Sequence, residues 1–198
     1  STGAIWPVNI ELRAVVSSVR SAALNSARVA IGAPTSRARA EIVIDEAAGR
    51  MRTVVQGSFD TVDEVIKICK FAETAGADNL LLSYAPTFYP LSDDDIYEYT
   101  AKVLEAIDLA TILFAVHQWN FDRCHPASLS PQLVDRMADH PTAVAIKCEG
   151  GGPTNGALVE LLELCGDRLL VADPREGSSP GYVKLFGMQW MGTSNFEV

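Results

Sequence analysis

Apolar runs of strand length alternate along this chain with stretches of helical periodicity, and this alternation restricts the fold more than any other feature. Several runs are apolar at nearly every position, which is typical of parallel strands covered on both faces. Between two such runs, one helical face carries Leu158, Leu161, Leu162 and Cys165. An earlier stretch shows the same spacing at Val62, Val65, Ile66, Cys69 and Ala72. The alternation therefore predicts an α/β fold around a parallel sheet.

Eight of the apolar runs are candidate strands. They are Gly3–Val8, Arg28–Pro34, Arg52–Ser58, Asn79–Ala85, Thr111–His117, Ala143–Glu149, Arg168–Asp173 and Met188–Ser194. Eight strands alternating with seven helices predict a (β/α)8 TIM barrel. It is short or incomplete, because the last helix is missing and such barrels usually take about 250 residues. An open doubly wound sheet is the alternative. Since no linker or repeat interrupts the pattern, we expect residues 1–198 to form a single barrel domain. The match to the barrel pattern is weakest in residues 1–35.

Polar residues and glycines mark the helix ends. Thr61, Ser92 and Ser130 each precede a helical pattern, where a side-chain oxygen can accept a hydrogen bond from a free backbone N–H. Gly76 and Gly166 follow helical patterns, where a residue in the left-handed conformation is expected.

The charge and the cysteines exclude several classes of protein. Sixteen Lys and Arg residues against 25 Asp and Glu residues give a formal net charge of −9, which disfavours nucleic acid and anionic membranes as partners. No apolar run approaches the roughly 18 residues of a membrane span. The four cysteines show no CxxC spacing, so we expect reduced thiols and a cytoplasmic protein. The Ser-, Ala- and Arg-rich first forty residues also resemble a transit peptide, although a coding sequence biased toward Ala and Arg would look the same.

Lys147 is the most informative residue for function. It lies near the end of the apolar run Ala143–Glu149, just before a run of glycines. In a barrel, the carboxyl ends of the strands form the active-site face. Because burial disfavours the charged form of an amine, a buried Lys can attack a ketone and form a Schiff base. The alternative is an ion pair between Lys147 and a carboxylate such as Glu149 or Asp173, which would hold the mouth of the barrel together.

Five segments together carry a resemblance to a known family. They are 47–57, 72–82, 85–90, 110–114 and 140–147, and the last of them, which ends in Lys147, is the most specific. From Ser36 to Val198 the chain resembles the dihydrodipicolinate synthase / N-acetylneuraminate lyase family, which are (β/α)8 class I aldolases. The resemblance implies that Lys147 forms a Schiff base with pyruvate or another 2-oxo acid, and that the protein is a homo-oligomer, a dimer or a tetramer. Since the histidines show neither HxH nor HExxH spacing, we expect no metal, and we expect no cofactor.

The chain departs from the family pattern at several positions. The family's proton-relaying Tyr at the end of the fifth strand is replaced by Phe114, and a phenyl ring neither donates nor accepts a proton. The family's carboxylate-binding loop is matched only loosely, by residues 32–36. There Thr35 and Ser36 are the candidate substrate-binding residues, and Pro34 lacks an N–H. A short insertion lies around Asp122–Pro126.

Three further residues are candidates for the site. His117 ends a predicted strand and is able to relay protons in place of the missing Tyr; the alternative is a loop histidine bonded to a backbone carbonyl. Tyr89 matches the family's phenol after the fourth strand, unless Phe88 holds that position or Tyr89 packs at a subunit contact. Trp119 either lines an aromatic substrate pocket or caps the barrel.

Three functions are therefore open on the sequence. The first is a Schiff-base lyase whose partner is a small 2-oxo acid, catalysing reversible aldol cleavage, condensation or dehydration. The second is a catalytically impaired homologue that binds a small acid or serves a structural role. The third is a phosphosugar-binding barrel that uses the glycine run at residues 150–152.

Overall fold

A computed structural model describes residues 33–50, 52–57, 61–149, 154–174 and 179–188 of the chain. Its five strands are β1 Val54–Gly57, β2 Asn79–Leu82, β3 Ala110–Val116, β4 Ala143–Glu149 and β5 Leu170–Ala172. Its α-helices are α1 Ala33–Ala47, α2 Val62–Thr74, α3 Asp93–Leu104, α4 Pro131–Met137, α5 Thr154–Cys165 and α6 Ser179–Phe186.

The five strands are parallel and are ordered β1-β2-β3-β4-β5 across one sheet. Each strand therefore pairs with the next strand in the chain after a helical crossover. A doubly wound sheet reverses its strand order at a switch point. Because no reversal occurs among the described strands, the doubly wound alternative is wrong, and the fold is an incomplete (β/α)8 barrel.

Five of the eight predicted strands coincide with observed strands, and Ala143–Glu149 has the same bounds. The prediction for Arg28–Pro34 is wrong at its end, because Ala33 and Pro34 belong to α1; a proline fits the first turn of a helix, where its missing N–H has no partner to lose. The rest of that run and all of Gly3–Val8 lie outside the described residues. Met188 lies outside any strand, and the remainder of the predicted strand Met188–Ser194 is also not described.

The core lies between the sheet and its helices. Leu80, Leu113 and Ile146 from three neighbouring strands are fully buried, and Leu158 of α5 is buried with them. The predicted apolar face of α2 is confirmed, since Val65, Cys69 and Ala72 are all inaccessible to solvent. Full burial of one such aliphatic side chain contributes about 1.5–3 kcal/mol. The core therefore holds the strands in a common register.

The predicted helix starts are confirmed. The side chains of Thr61, Ser92 and Ser130 each accept a hydrogen bond from a backbone N–H in the first turn of the helix that follows. Gly76 has the expected positive φ, at 89°. The prediction for Gly166 is wrong, because it is not among the described glycines with positive φ. A Cβ at this position would lie 2.4 Å from the Leu162 carbonyl oxygen, so the glycine is required by close approach of the backbone.

The described helices include none that is both long and apolar enough to span a bilayer. All four cysteines lie in described parts of the chain and carry free thiols.

Candidate functional site

Lys147 lies on the face of the sheet that is turned away from the helices. The alternate residues of β4, Ile146 and Cys148, belong to the core between sheet and helices. Residues two apart on a strand share a face, so Lys147 and Glu149 project from the opposite side. In the register of the sheet, Lys147 pairs with Phe114 of β3. Glu149 lies two residues nearer the carboxyl end of β4. Both charged residues therefore stand at the predicted active-site end of the barrel.

The Lys147 ammonium is paired with a carboxylate. Its Nζ lies 2.9 Å from Glu149 Oε2, and the side chains of Lys147 and Glu149 are 18% and 37% exposed. The same Nζ lies 5.0 Å from the centre of the Phe114 ring, within the range of a cation–π contact. The ion pair with Glu149, which was the alternative interpretation of Lys147, is thus present. The role of Lys147 as a Schiff-base nucleophile stays a prediction.

A phenyl ring stands where the resemblance predicts a phenol, since the register partner of Lys147 is Phe114. Two other tyrosines, Tyr84 and Tyr99, are buried, but both hydroxyls are engaged elsewhere. The Tyr84 hydroxyl is 2.8 Å from Thr100 Oγ1 on α3, and the Tyr99 hydroxyl accepts a hydrogen bond from the Ala85 N–H. Burial raises the pKa of Tyr84 and raises the pKa of Tyr99 to about 12. Neither phenol is therefore suited to proton transfer near neutral pH.

His117 lies immediately after β3, in a short 3-10 turn that runs from His117 to Trp119. Its Nδ1 is 3.3 Å from Asp122 Oδ1, and both side chains are exposed. The partner of the ring is thus a carboxylate and not the backbone carbonyl of the alternative interpretation. Sequence reasoning missed Asp122 as this partner, although it had placed an insertion there. A carboxylate beside an imidazole can orient it for acid–base chemistry.

Trp119 caps the end of β3. Its indole N–H donates a 2.9 Å hydrogen bond to the Phe114 carbonyl oxygen. Its ring meets Phe114 and Tyr84 edge to face, with centroid separations of 5.8 Å in each case. Of the two interpretations of Trp119, these contacts favour the cap over the lining of a substrate pocket.

Tyr89 lies at the protein surface and Phe88 lies against the core. Phe88 packs on Tyr84 and Tyr99 with centroid separations of 6.0 and 4.6 Å. Tyr89 is 68% exposed, and the Arg123 guanidinium covers its ring. Both residues line an open cavity of about 560 Å³ whose lining does not include Lys147. Lys147 is not among the residues that line this cavity, and the role of Tyr89 in substrate binding stays a prediction.

The candidate carboxylate-binding residues Thr35 and Ser36 lie in the first turns of α1 rather than in a loop. The expectation of a loop at residues 32–36 is therefore wrong from Ala33 onward, since the helix begins there. The side chains of Thr35 and Ser36 lie outside the described part of the chain, as do the glycines of the run 150–152. Their binding roles stay predictions.

Ser83 is a buried polar residue just after β2 that sequence reasoning missed. It follows β2 directly and is fully buried, and its Oγ has no hydrogen-bond partner in the described structure. It comes two residues after Leu81, which pairs with Ile112, so it stands at the level of Phe114. A buried hydroxyl without a partner is unusual in a folded protein. The one sequence signal was a Ser at the end of an apolar run.

The described side chains contain no group of three or more His, Cys, Asp or Glu residues arranged to hold a metal ion.

Comparison with known proteins matches residues 36–185 to the dihydrodipicolinate synthetase family. A 4-hydroxy-tetrahydrodipicolinate synthase from Pelobacter propionicus is 31% identical over 129 residues, which are 65% of this chain and 42% of that protein. Among solved structures, YagE from E. coli K12 in complex with pyruvate has a TM-score of 0.70 at 19% identity and covers 82% of this chain and 53% of its own. The dihydrodipicolinate synthase from Acinetobacter baumannii, complexed with pyruvate, has a TM-score of 0.68 at 21% identity, with coverage of 84% and 54%. The chain thus spans about half the length of these relatives.

Proposed function

Because this chain belongs to the dihydrodipicolinate synthetase family, we propose that it is a lyase of the class I aldolase type that forms a Schiff base between Lys147 and a 2-oxo acid. The single observation that carries the proposal is the position of Lys147. It is a mostly buried lysine side chain near the carboxyl end of β4 in the parallel sheet of the barrel. Two structural neighbours are complexes with pyruvate, which supports pyruvate as the first acid to test.

The proposed chemistry needs a nucleophile and an electron sink, and Lys147 supplies both. Its amine attacks the ketone carbon of the 2-oxo acid, and loss of water leaves an iminium. The iminium withdraws electrons from the adjacent α carbon. The carbon–carbon bond between the α and β carbons can then break or form, as can a carbon–oxygen bond at the β carbon. Reversible aldol cleavage, condensation and dehydration all proceed through this intermediate.

Proton transfer in this proposal falls to groups other than a phenol at position 114. The pair of His117 and Asp122, just beyond β3, is one candidate, since its two side chains are already in contact. Thr35 and Ser36 are proposed to bind the substrate carboxylate, and Tyr89 to line its approach. We also propose that the protein is a homo-oligomer, a dimer or a tetramer, and that it is located in the cytoplasm.

A second function is favoured by two observations on the same site. The Lys147 amine is engaged by Glu149 as an ion pair, and Phe114 has no proton to relay. Both features suit a homologue that binds a small acid through a cationic Lys147 and does not turn it over.

The test is reductive trapping. We would incubate the purified protein with pyruvate and a panel of other 2-oxo acids, reduce with borohydride, and map the modified peptide by mass spectrometry. The lyase proposal predicts a stable adduct on Lys147, its absence in Lys147→Ala, and an unchanged adduct in Lys70→Ala, which removes an exposed lysine on α2. Thermal stabilisation by the acid without any adduct would support the binding protein and overturn the lyase.

A further inference from the structure

We propose that Glu149 is the proton acceptor and donor for Schiff-base formation at Lys147. This inference rests on the proposed function and adds a catalytic residue to it. The observation is the contact between Glu149 Oε2 and Lys147 Nζ, at 2.9 Å.

The strand itself produces this contact. Residues two apart on β4 share a face, so Glu149 projects beside Lys147 without any help from a loop. The register partner of Glu149 is Val116 and that of Lys147 is Phe114, so β3 brings no titratable side chain against the pair. On the other side, Ala172 of β5 pairs with Lys147. The nearest titratable groups that follow these strands in the chain are His117 with Asp122 and, after β5, the buried Asp173.

A base beside Lys147 is chemically required. An amine paired with a carboxylate rests as an ammonium ion, which has no lone pair and does not attack a ketone. A proton must therefore leave before the carbon–nitrogen bond forms. Phe114 offers no acceptor, and the Tyr84 hydroxyl is bonded to Thr100. The Glu149 carboxylate is already within hydrogen-bond distance of the nitrogen that must lose the proton.

The exposure of the two side chains suits this role. The Lys147 side chain is 18% exposed and the Glu149 side chain is 37% exposed. The Glu149 side chain is thus more exposed to solvent than the Lys147 side chain. A proton taken from Lys147 is held on a group that can pass it to substrate or water.

Schiff-base formation conserves every proton and bonding partner at this site. Glu149 takes one proton from the Lys147 ammonium, and the neutral amine adds to the ketone carbon, which gives a carbinolamine after the second nitrogen proton moves to the oxygen. Glu149 then returns its proton to that hydroxyl, and the carbon–oxygen bond breaks as water leaves. The nitrogen keeps its third proton in the iminium. The carboxylate is regenerated, and no oxidant or reductant is used.

The experiment measures the rate of trapping with pyruvate and borohydride as a function of pH. Its variants are Glu149→Gln, which keeps the shape and removes the base, and Glu149→Asp, which keeps the base on a shorter stem. Glu163→Gln on the exposed surface of α5 is the matched control. Far-UV circular dichroism and urea titration establish that each variant is folded.

We expect Glu149→Gln to slow adduct formation at neutral pH by about 10²–10⁴-fold, the usual contribution of one general acid–base residue. Its rate should rise about tenfold per pH unit, because only the small fraction of free amine reacts, whereas the wild-type rate should be nearly flat. Glu149→Asp should recover part of the rate, and Glu163→Gln all of it.

Failure of this inference is distinct from failure of the proposed function. If the wild type forms the adduct and Glu149→Gln forms it at the same rate with the same pH profile, Glu149 is only a partner in an ion pair and the inference is overturned while the lyase stands. If no form of the protein gives an adduct with any acid of the panel, both are overturned. If Glu149→Gln is unfolded, the outcome is decided by Glu149→Asp. A lower trapping rate with a flat pH profile supports the carboxylate as the base, and a rate and pH profile equal to those of the wild type overturn the inference.

Discussion

Phe114 and Lys147, 33 residues apart in the chain, face each other in the register of β3 and β4, and the Lys147 ammonium lies 5.0 Å from the centre of the Phe114 ring. A phenyl ring therefore stands beside the amine at the position where the resemblance predicts a phenol. The ring attracts the cation but moves no proton.

Restoring a phenol should increase proton transfer at this site. In Phe114→Tyr, the new hydroxyl is carried by the residue that is already in contact with Lys147. We expect exchange of the pyruvate methyl protons with deuterium, which reports on carbanion formation, to accelerate by about 10²-fold or more. The measurement is proton NMR in D2O. Phe114→Leu is the control and should show no acceleration, and an equal rate in Phe114→Tyr would show that another group already relays the proton.

Removal of the Ser83 hydroxyl should not destabilise the protein. The Ser83 Oγ is buried without a partner in the described structure, so Ser83→Ala loses no hydrogen bond and avoids the cost of burying a polar group. We expect the free energy of unfolding in urea to stay the same or to rise by about 1 kcal/mol. Ser130→Ala is the comparison, because Ser130 Oγ accepts from the Leu133 N–H and donates to the Asp93 carboxylate, and it should cost about 1–3 kcal/mol. A loss of that size in Ser83→Ala would indicate an internal partner.

Asp78 should govern stability in acid. Its carboxylate accepts hydrogen bonds from the Thr53 N–H at 2.7 Å and from Arg52 at 2.6 Å, which joins the starts of β1 and β2. Partial burial alone would raise the pKa of Asp78, but these hydrogen bonds outweigh it and hold the pKa below its ordinary value of 3.8. The stabilisation of the fold by the ionised Asp78 carboxylate is therefore fully present above pH 3.8. It is lost as the pH falls through the lower, folded-state pKa of Asp78.

The test of this role is Asp78→Asn, for which we expect a loss of about 1.5–3 kcal/mol at neutral pH, from hydrogen bonds to a charged group. Urea titrations between neutral pH and pH 3 should show a smaller difference between variant and wild type in acid. Asp139→Asn, at an exposed partner of Arg168, should change stability little. A loss in Asp78→Asn that does not depend on pH would contradict the assigned cause.

Tyr99 should make the protein sensitive to alkali. Burial raises its pKa from 10.0 to about 12 in the folded state. Between these values the unfolded chain ionises and the folded protein does not, so the stabilisation is complete below pH 10 and is lost as the pH rises through about 12. Tyrosinate absorbance should show a phenol that ionises late or only with unfolding. In Tyr99→Phe the alkaline loss of stability should become smaller, and an unchanged loss would point to another buried group.

The positions of five strands and the place of Lys147 could be predicted from the sequence because both depend on local patterns. An apolar run followed by a charged residue and glycines marks the carboxyl end of a buried strand, and β4 has the predicted bounds. Capping side chains act within one turn of their own helix, so Ser92 and Ser130 also behave as predicted. Gly166 did not, because the atom that crowds it is the carbonyl of Leu162, and this approach is not visible as a pattern.

The sequence by itself determined the alternation of strands and helices, the buried faces of α2 and α5, and the arrival of one lysine near the carboxyl end of a barrel strand. Only the tertiary structure decided which groups touch that lysine. It placed Phe114 across from Lys147, paired the amine with Glu149, and used Trp119 as a cap on β3. The physical reason is that periodicity is a property of neighbouring residues, whereas contacts at a site depend on register between distant strands and on side-chain conformation.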